Sequence, residues 1–157
     1  MLELKIFNPN MQQDIERFYE KCLTHLGWGY DPTGRHIDIS NVQKAYMEHG
    51  CMWCLCEDNF IIGTVAVKNI SIDDAKEKIA ELKRMFVLAE YQGKGYGRLL
   101  LETAIHYSCE NGFDKLLLDT RLELHAAVHL YHKYGFVGIP SYNDNAKAEL
   151  YMELPLH

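Results

Sequence analysis

No run of about 18 apolar residues occurs in the chain, so no helix is expected to span a bilayer. The opening residues, MLELKIFNPN, carry no basic stretch followed by an apolar one. A secretory leader is therefore not expected, and a cytoplasmic setting is. Basic charge is in short supply: 16 Lys and Arg against 22 Asp and Glu leave a net charge of −6. Such a surface is poorly suited to displacing counterions from a polyanion, which argues against nucleic acid as a partner but leaves room for a local basic pocket. The phosphate-loop pattern GxxxxGK[ST] is missing, and so is the dinucleotide fingerprint GxGxxG. Repeats, low-complexity tracts and interdomain linkers are missing too, so residues 1–157 read as one domain.

Cysteine offers no pairing scheme either. Five Cys and no leader point to reduced thiols. Cys51 and Cys54 have the CxxC spacing of a zinc site, yet the run CMWCLC is strand-like, and successive strand side chains point to opposite faces. No second CxxC or histidine pair follows, so these Cys are expected to be buried apolar residues, with no metal.

Period and punctuation supply the elements. Leu2 to Ile6 alternates as a strand, and Met11 to Leu26 carries a helical stripe of Ile15, Phe18, Tyr19, Cys22 and Leu26. A Gly/Pro-rich loop, 27–34, follows. Ser40 to Gln43 has capping-box spacing, which predicts a second helix to about Glu48. Residues 51–56 and 60–67 flank Glu57-Asp58-Asn59 as a hairpin. Strands are expected at 80–88, at 115–120 near the sheet centre, and at 146–154. Helices are expected at 97–110, closed by Asn111-Gly112, and at 124–134. The order β-α-α-β-β-β-α-β-α-β predicts an α/β fold, a mixed sheet with helices on both faces.

The strongest chemical signal is Tyr91-Gln92-Gly93-Lys94-Gly95-Tyr96-Gly97-Arg98, between a strand and a helix. Alternate glycines let backbone N–H groups converge on a ligand, and the helix adds its positive end. Lys94 and Arg98 add charge, which together suits a pyrophosphate. A plain glycine turn before a helix is the bland alternative.

Gln92, Gly95 and Gly97 fit [Gln/Arg]-x-x-Gly-x-[Gly/Ala], and the segment resembles the GNAT superfamily of N-acetyltransferases. The preceding ELKRMFV, the LDT at 118–120, LYHKYGF at 130–136 and the closing YMEL resemble that family's other landmarks in their order, over roughly residues 50–155. The resemblance implies a GNAT-like mixed sheet whose two parallel strands part, so that a pantetheine arm adds beside one of them. Phe86, Val87 and Leu88 fall at that place, and Gln92, Gly93, Lys94, Gly95, Tyr96, Gly97 and Arg98 would hold the pyrophosphate of acetyl-CoA. Tyr131 matches the family's general acid, able to protonate a thiolate leaving group. It also lies on an apolar stripe with Leu124, Ala127, Val128 and Tyr134, so a core aromatic is the competing reading. Glu81 is the first candidate base, acting through water, against a solvated strand-end carboxylate. Asp119, His36 and His49 rank behind it. On unbroken alternation Glu81 would share a face with Val87 about 20 Å away. Leu124 stands where many members carry Asn.

His125, His129 and His132 share one helical face, but no carboxylate there completes a metal site, and a solvated face is expected. Residues 27–32 and 139–143 are expected to line the acceptor side, for a small-molecule or peptide amine. The resemblance leaves a homodimer open. It implies an acyltransferase, the alternative being a non-catalytic acyl-CoA sensor of the same fold.

Overall fold

In the computed structural model, which describes residues 1–157, one mixed sheet of seven strands runs in the order β1-β2-β3-β4-β5-β7-β6. The strands are β1 (Leu2–Ile6), β2 (Gly50–Glu57), β3 (Phe60–Asn69), β4 (Ile79–Val87), β5 (Lys115–Thr120), β6 (Val137–Ile139) and β7 (Leu150–Pro155). The helices are α1 (Gln12–His25), α2 (Tyr96–Glu110) and α3 (His125–Lys133). No helix is long and apolar enough to cross a membrane.

The hairpin forms where its turn residues allow it. Asp58 and Asn59 take φ of 49° and 73°, the left-handed values a two-residue turn needs to match strand twist. Three thiols of β2, at Cys51, Cys54 and Cys56, are buried and unpaired, because both faces of that strand are covered. On α1 the buried stripe is Ile15, Phe18, Tyr19, Cys22 and Leu23; Leu23 takes the place expected of Leu26. Tyr19 reaches Thr64, whereas Leu100 of α2 lies against Gly63, the preceding residue of β3. Adjacent strand residues face opposite ways, so α1 and α2 cover opposite faces of the sheet.

Two expectations need correction. The second helix, expected from Ser40 to about Glu48, is a 3-10 segment (Ile37–Asn41) running into a π turn (Gln43–Met47). Ser40 does not cap; its hydroxyl donates to the Pro32 carbonyl at 2.7 Å. The closing strand begins at Leu150, not Ala146, and β6 was not anticipated.

The most consequential local feature is a bulge in β4. Residues 80–83 pair with β3 in one register, and Phe86 and Val87 in a register shifted by one residue. Arg84 takes φ +54°, costly for a residue with a Cβ. Its carbonyl turns out of the ladder and accepts from Thr64 Oγ1 at 2.8 Å, and Tyr19 Oη lies 2.5 Å from that hydroxyl. Tyr19 Oη also lies 3.2 Å from that carbonyl, so whichever hydroxyl accepts from the other donates its own proton to Arg84.

The Arg84 side chain is anchored as firmly. Its Nε and Nη2 donate to the two oxygens of Asp38 at 2.9 Å each, and Tyr46 Oη donates to Asp38 as well. Burial pushes the Asp38 pKa up, but Arg84 and the Tyr46 hydroxyl outweigh it, and the net shift is downward. The two side chains keep 18% and 21% of their surface in water, so the pair is worth less than the roughly 3–5 kcal/mol lost on breaking a fully buried one. Asp38→Asn is expected to cost about 2 kcal/mol at neutral pH, read by urea unfolding. Because the folded pKa is depressed, the contribution is full above the unfolded value of about 3.9 and is lost as pH falls through the folded one. The gap between wild type and variant should stay constant from pH 8 to 5 and close below about pH 4.

Candidate active site

β4 and β5 run parallel but pair only at Ile79–Glu81 against Lys115–Leu117. Beyond that point β5 pairs with β7 alone, while β4 stays with β3. A wedge opens, and the β5-side edge of β4 is free from Leu82 to Val87, on the order of 16 Å at about 3.3 Å per residue. Two cavities fill this wedge and share Met85, Phe86, Leu124 and Ala127 as a neck.

The first cavity, about 510 Å³, is walled by Phe86, Val87 and Leu88 and by the loop Gln92-Gly93, Gly95-Tyr96-Gly97. Gly93 and Gly95 have φ of 79° and 87°, and nothing lies within 4 Å of where a Cβ would stand on either. Gly95 caps α2 with no side-chain hydrogen bond, so the first N–H groups of the helix have no capping partner. That is a fitting cradle for a phosphate. Not every polar residue of the loop is free for the task. Gln92 Nε2 donates to the Val87 carbonyl at 3.0 Å and ties the loop to β4. Arg98 is engaged by Glu102 at 2.9 Å, and Tyr134 donates to the same carboxylate. Lys94 sits 5.4 Å over the Tyr91 ring. Backbone groups, more than these side chains, are left free to meet an anion here.

The second cavity, about 870 Å³, brings together Glu81, Asp119, Tyr131, His36, Trp28 and the loop 142–148. Glu81 Oε2 accepts from Tyr142 Oη at 2.6 Å, and Lys83 Nζ stands 3.7 Å from its other oxygen. Asn143 Nδ2 donates to Asp119 at 2.6 Å and reaches Glu81 at 3.5 Å, so one amide links the two carboxylates. Tyr131 is 4% exposed and packs on Phe136. Burial first, and the Asp119 charge second, push its pKa up. Its hydroxyl makes no side-chain hydrogen bond and is not among the sealed, unpartnered polar atoms of the fold, Tyr30 Oη and Arg121 Nε.

The bulge overturns the expected alternation: Glu81 lines the second cavity and Val87 the first. From Glu81 to the neck at Met85 is four residues, about 13 Å along the strand, which is less than the roughly 20 Å to Val87 because the neck lies two residues nearer. His36 is buried, and its Nδ1 accepts from the Asp31 amide at 2.9 Å. Burial, then Arg84 and Arg35, lower its pKa. His49 is exposed and lines neither cavity. His125, His129 and His132 are exposed on α3. Of the two loops expected on the acceptor side, Trp28, Tyr142 and Asn143 reach the cavity. Arg121, which sequence reasoning passed over, reaches it too.

A family model described as the Acetyltransferase (GNAT) family matches residues 9–136. An N-acetyltransferase of Dictyostelium discoideum is 36% identical over 81 residues, covering 50% of this chain and 38% of that protein. Human N-acetyltransferase 8 is 28% identical over 101 residues, covering 63% of this chain and 44% of that protein. The chain thus spans half or less of the length of these curated relatives. A GNAT-family acetyltransferase from Staphylococcus aureus superposes with a TM-score of 0.86 at 20% identity, over 100% of both chains. Another, from Brucella melitensis and solved with acetyl-CoA, has a TM-score of 0.71 at 18% identity, over 100% of this chain and 89% of that one. At these identities the solved structures speak for the fold.

Proposed function

The chain belongs to the GNAT acetyltransferase family, and from that premise we propose that it moves an acetyl group from acetyl-CoA to a primary amine by direct attack. The observation that carries this reading is the pair of cavities meeting at the neck where β4 leaves β5. Acetyl-CoA supplies an activated thioester carbonyl. The free edge of β4 at Phe86–Leu88 takes the pantetheine arm by strand addition, and the uncapped end of α2 takes the pyrophosphate. The neck brings the thioester to the mouth of the second cavity, where the amine waits.

Glu81 removes a proton from the acceptor ammonium through water, since the strand distance to the neck forbids direct contact. Tyr142 and Asn143 hold the carboxylate in place. As nitrogen bonds to the acyl carbon and the C–S bond breaks, Tyr131 supplies the proton that the departing thiolate takes, and the second proton shed by the nitrogen as the amide forms restores the phenol.

The direct test is release of CoA thiol from acetyl-CoA across a panel of primary amines. Release with none of them, alongside tight acetyl-CoA binding, would favour the sensor. Glu81→Gln keeps the size and removes the charge. We expect kcat/KM to drop about a hundredfold at pH 7 and to recover toward pH 10, where amines of pKa near 10.4 lose their own protons. A loss flat with pH would assign Glu81 to binding or folding.

A further inference from the structure

The second cavity is polarised in a way that acyl transfer to a simple amine does not require. Although the chain carries a net −6, five cations line this cavity (Arg35, Lys83, Arg84, Arg121 and Lys147) against three carboxylates. Arg84 is spent on Asp38, and Lys83 leans on Glu81. Two of the others gather around one residue. Arg35 Nη2 donates to the Trp28 carbonyl at 3.0 Å, and the Arg121 guanidinium lies 4.4 Å from the centroid of the Trp28 ring. Trp28 in turn meets Phe86, a neck residue, edge to face at 6.3 Å. The carboxylates Glu81 and Asp119, linked by Asn143, occupy another part of the lining.

Arg121 is only half engaged. Its Nη2 faces Glu123 at 3.2 Å, but Glu123 also accepts from Trp28 Nε1 at 2.8 Å, and Arg121 Nε has no partner at all. Leaving a buried donor unpaired is unfavourable, and an anionic ligand is the ordinary remedy. Nε is sealed in this arrangement, so a carboxylate would meet the open edge of the fork.

We propose that the acceptor is a free α-amino acid, its carboxylate held by Arg121 with Arg35 in support and its amine turned toward the neck and the Glu81–Asp119 side. This rests on the acyl-transfer reading and narrows it. A free amino acid carries both charges on one small molecule, an anion for the Arg121–Trp28 side of the cavity and an amine for the Glu81–Asp119 side. A peptide N-terminus would present an amide where the carboxylate belongs.

The test uses matched trios: each of the common L-amino acids, its amide and its decarboxylated amine, assayed for CoA release and for binding by calorimetry. Wild type should favour the acid over both partners by about ten- to hundredfold in kcat/KM, the range for a hydrogen-bonded charge. In Arg121→Gln that preference should fall to about twofold, chiefly through KM for the acid. Amides or amines equal to the acids in every trio would overturn the proposal, as would a variant that loses all three members by the same factor. If nothing turns over, calorimetry still decides. Preferential binding of acids, lost in Arg121→Gln, would keep the anion site and refute the transfer reading alone. No preference would end both.

Discussion

Gly95→Val is expected to weaken acetyl-CoA binding more than a hundredfold while leaving the chain folded. Gly95 caps α2 with φ +87°, and the space its Cβ would enter is open, facing the first cavity. A branched side chain there stands in front of the uncapped N–H groups that the pyrophosphate needs. It forces no clash in the fold. The left-handed backbone costs roughly 1–2 kcal/mol with a side chain present, well under the 5–15 kcal/mol of a typical domain. A modest drop in melting temperature should therefore accompany a near-complete loss of affinity by calorimetry. Wild-type affinity in the variant would place the phosphate elsewhere. Arg98→Gln is the informative contrast: Arg98 is already engaged by Glu102, so its loss should cost far less.

The parts of the site that were legible in the sequence are those built from local pattern. The glycine loop, α2, the hairpin and β5 each carry their own period or turn chemistry, and each lies within one or two residues of its expected place. What stayed hidden depends on tertiary partners. Nothing in the period of ELKRMFV announces a bulge, because the bulge is held by Thr64 and Tyr19 from other elements. An arginine inside an apolar strand was the available hint. The 37–47 segment lost its regular helix while Asp38 turned to Arg84, Tyr46 to Asp38 and Ser40 to Pro32. Arg121 and Asn143 come from loops, where no periodicity exists to point at a cavity.

Tyr131→Phe is expected to lower kcat by about ten- to ten-thousandfold with little change in stability. The ring is buried against Phe136, so Phe preserves the packing. The hydroxyl makes no side-chain hydrogen bond, so no partner is stranded by its removal. A stability loss is thus not available to explain a rate loss. The pH profile adds a second check. Burial and the Asp119 charge hold the phenol above its usual pKa of about 10, so it stays protonated through the assay range. It is also a weaker acid than the thiol it would form, whose ordinary pKa is near 8.5. Full proton transfer from Tyr131 alone is therefore uphill. Donation has to accompany C–S cleavage, with the phenol restored by the second proton, which the attacking nitrogen sheds as the amide forms, the first having gone to Glu81. On this account the wild-type kcat shows no alkaline fall below about pH 10, and the variant differs from it by a constant factor at every pH. An alkaline limb near 8.5 would name a different acid. An unchanged kcat, with single-turnover kinetics showing that chemistry limits the rate, would return Tyr131 to the core.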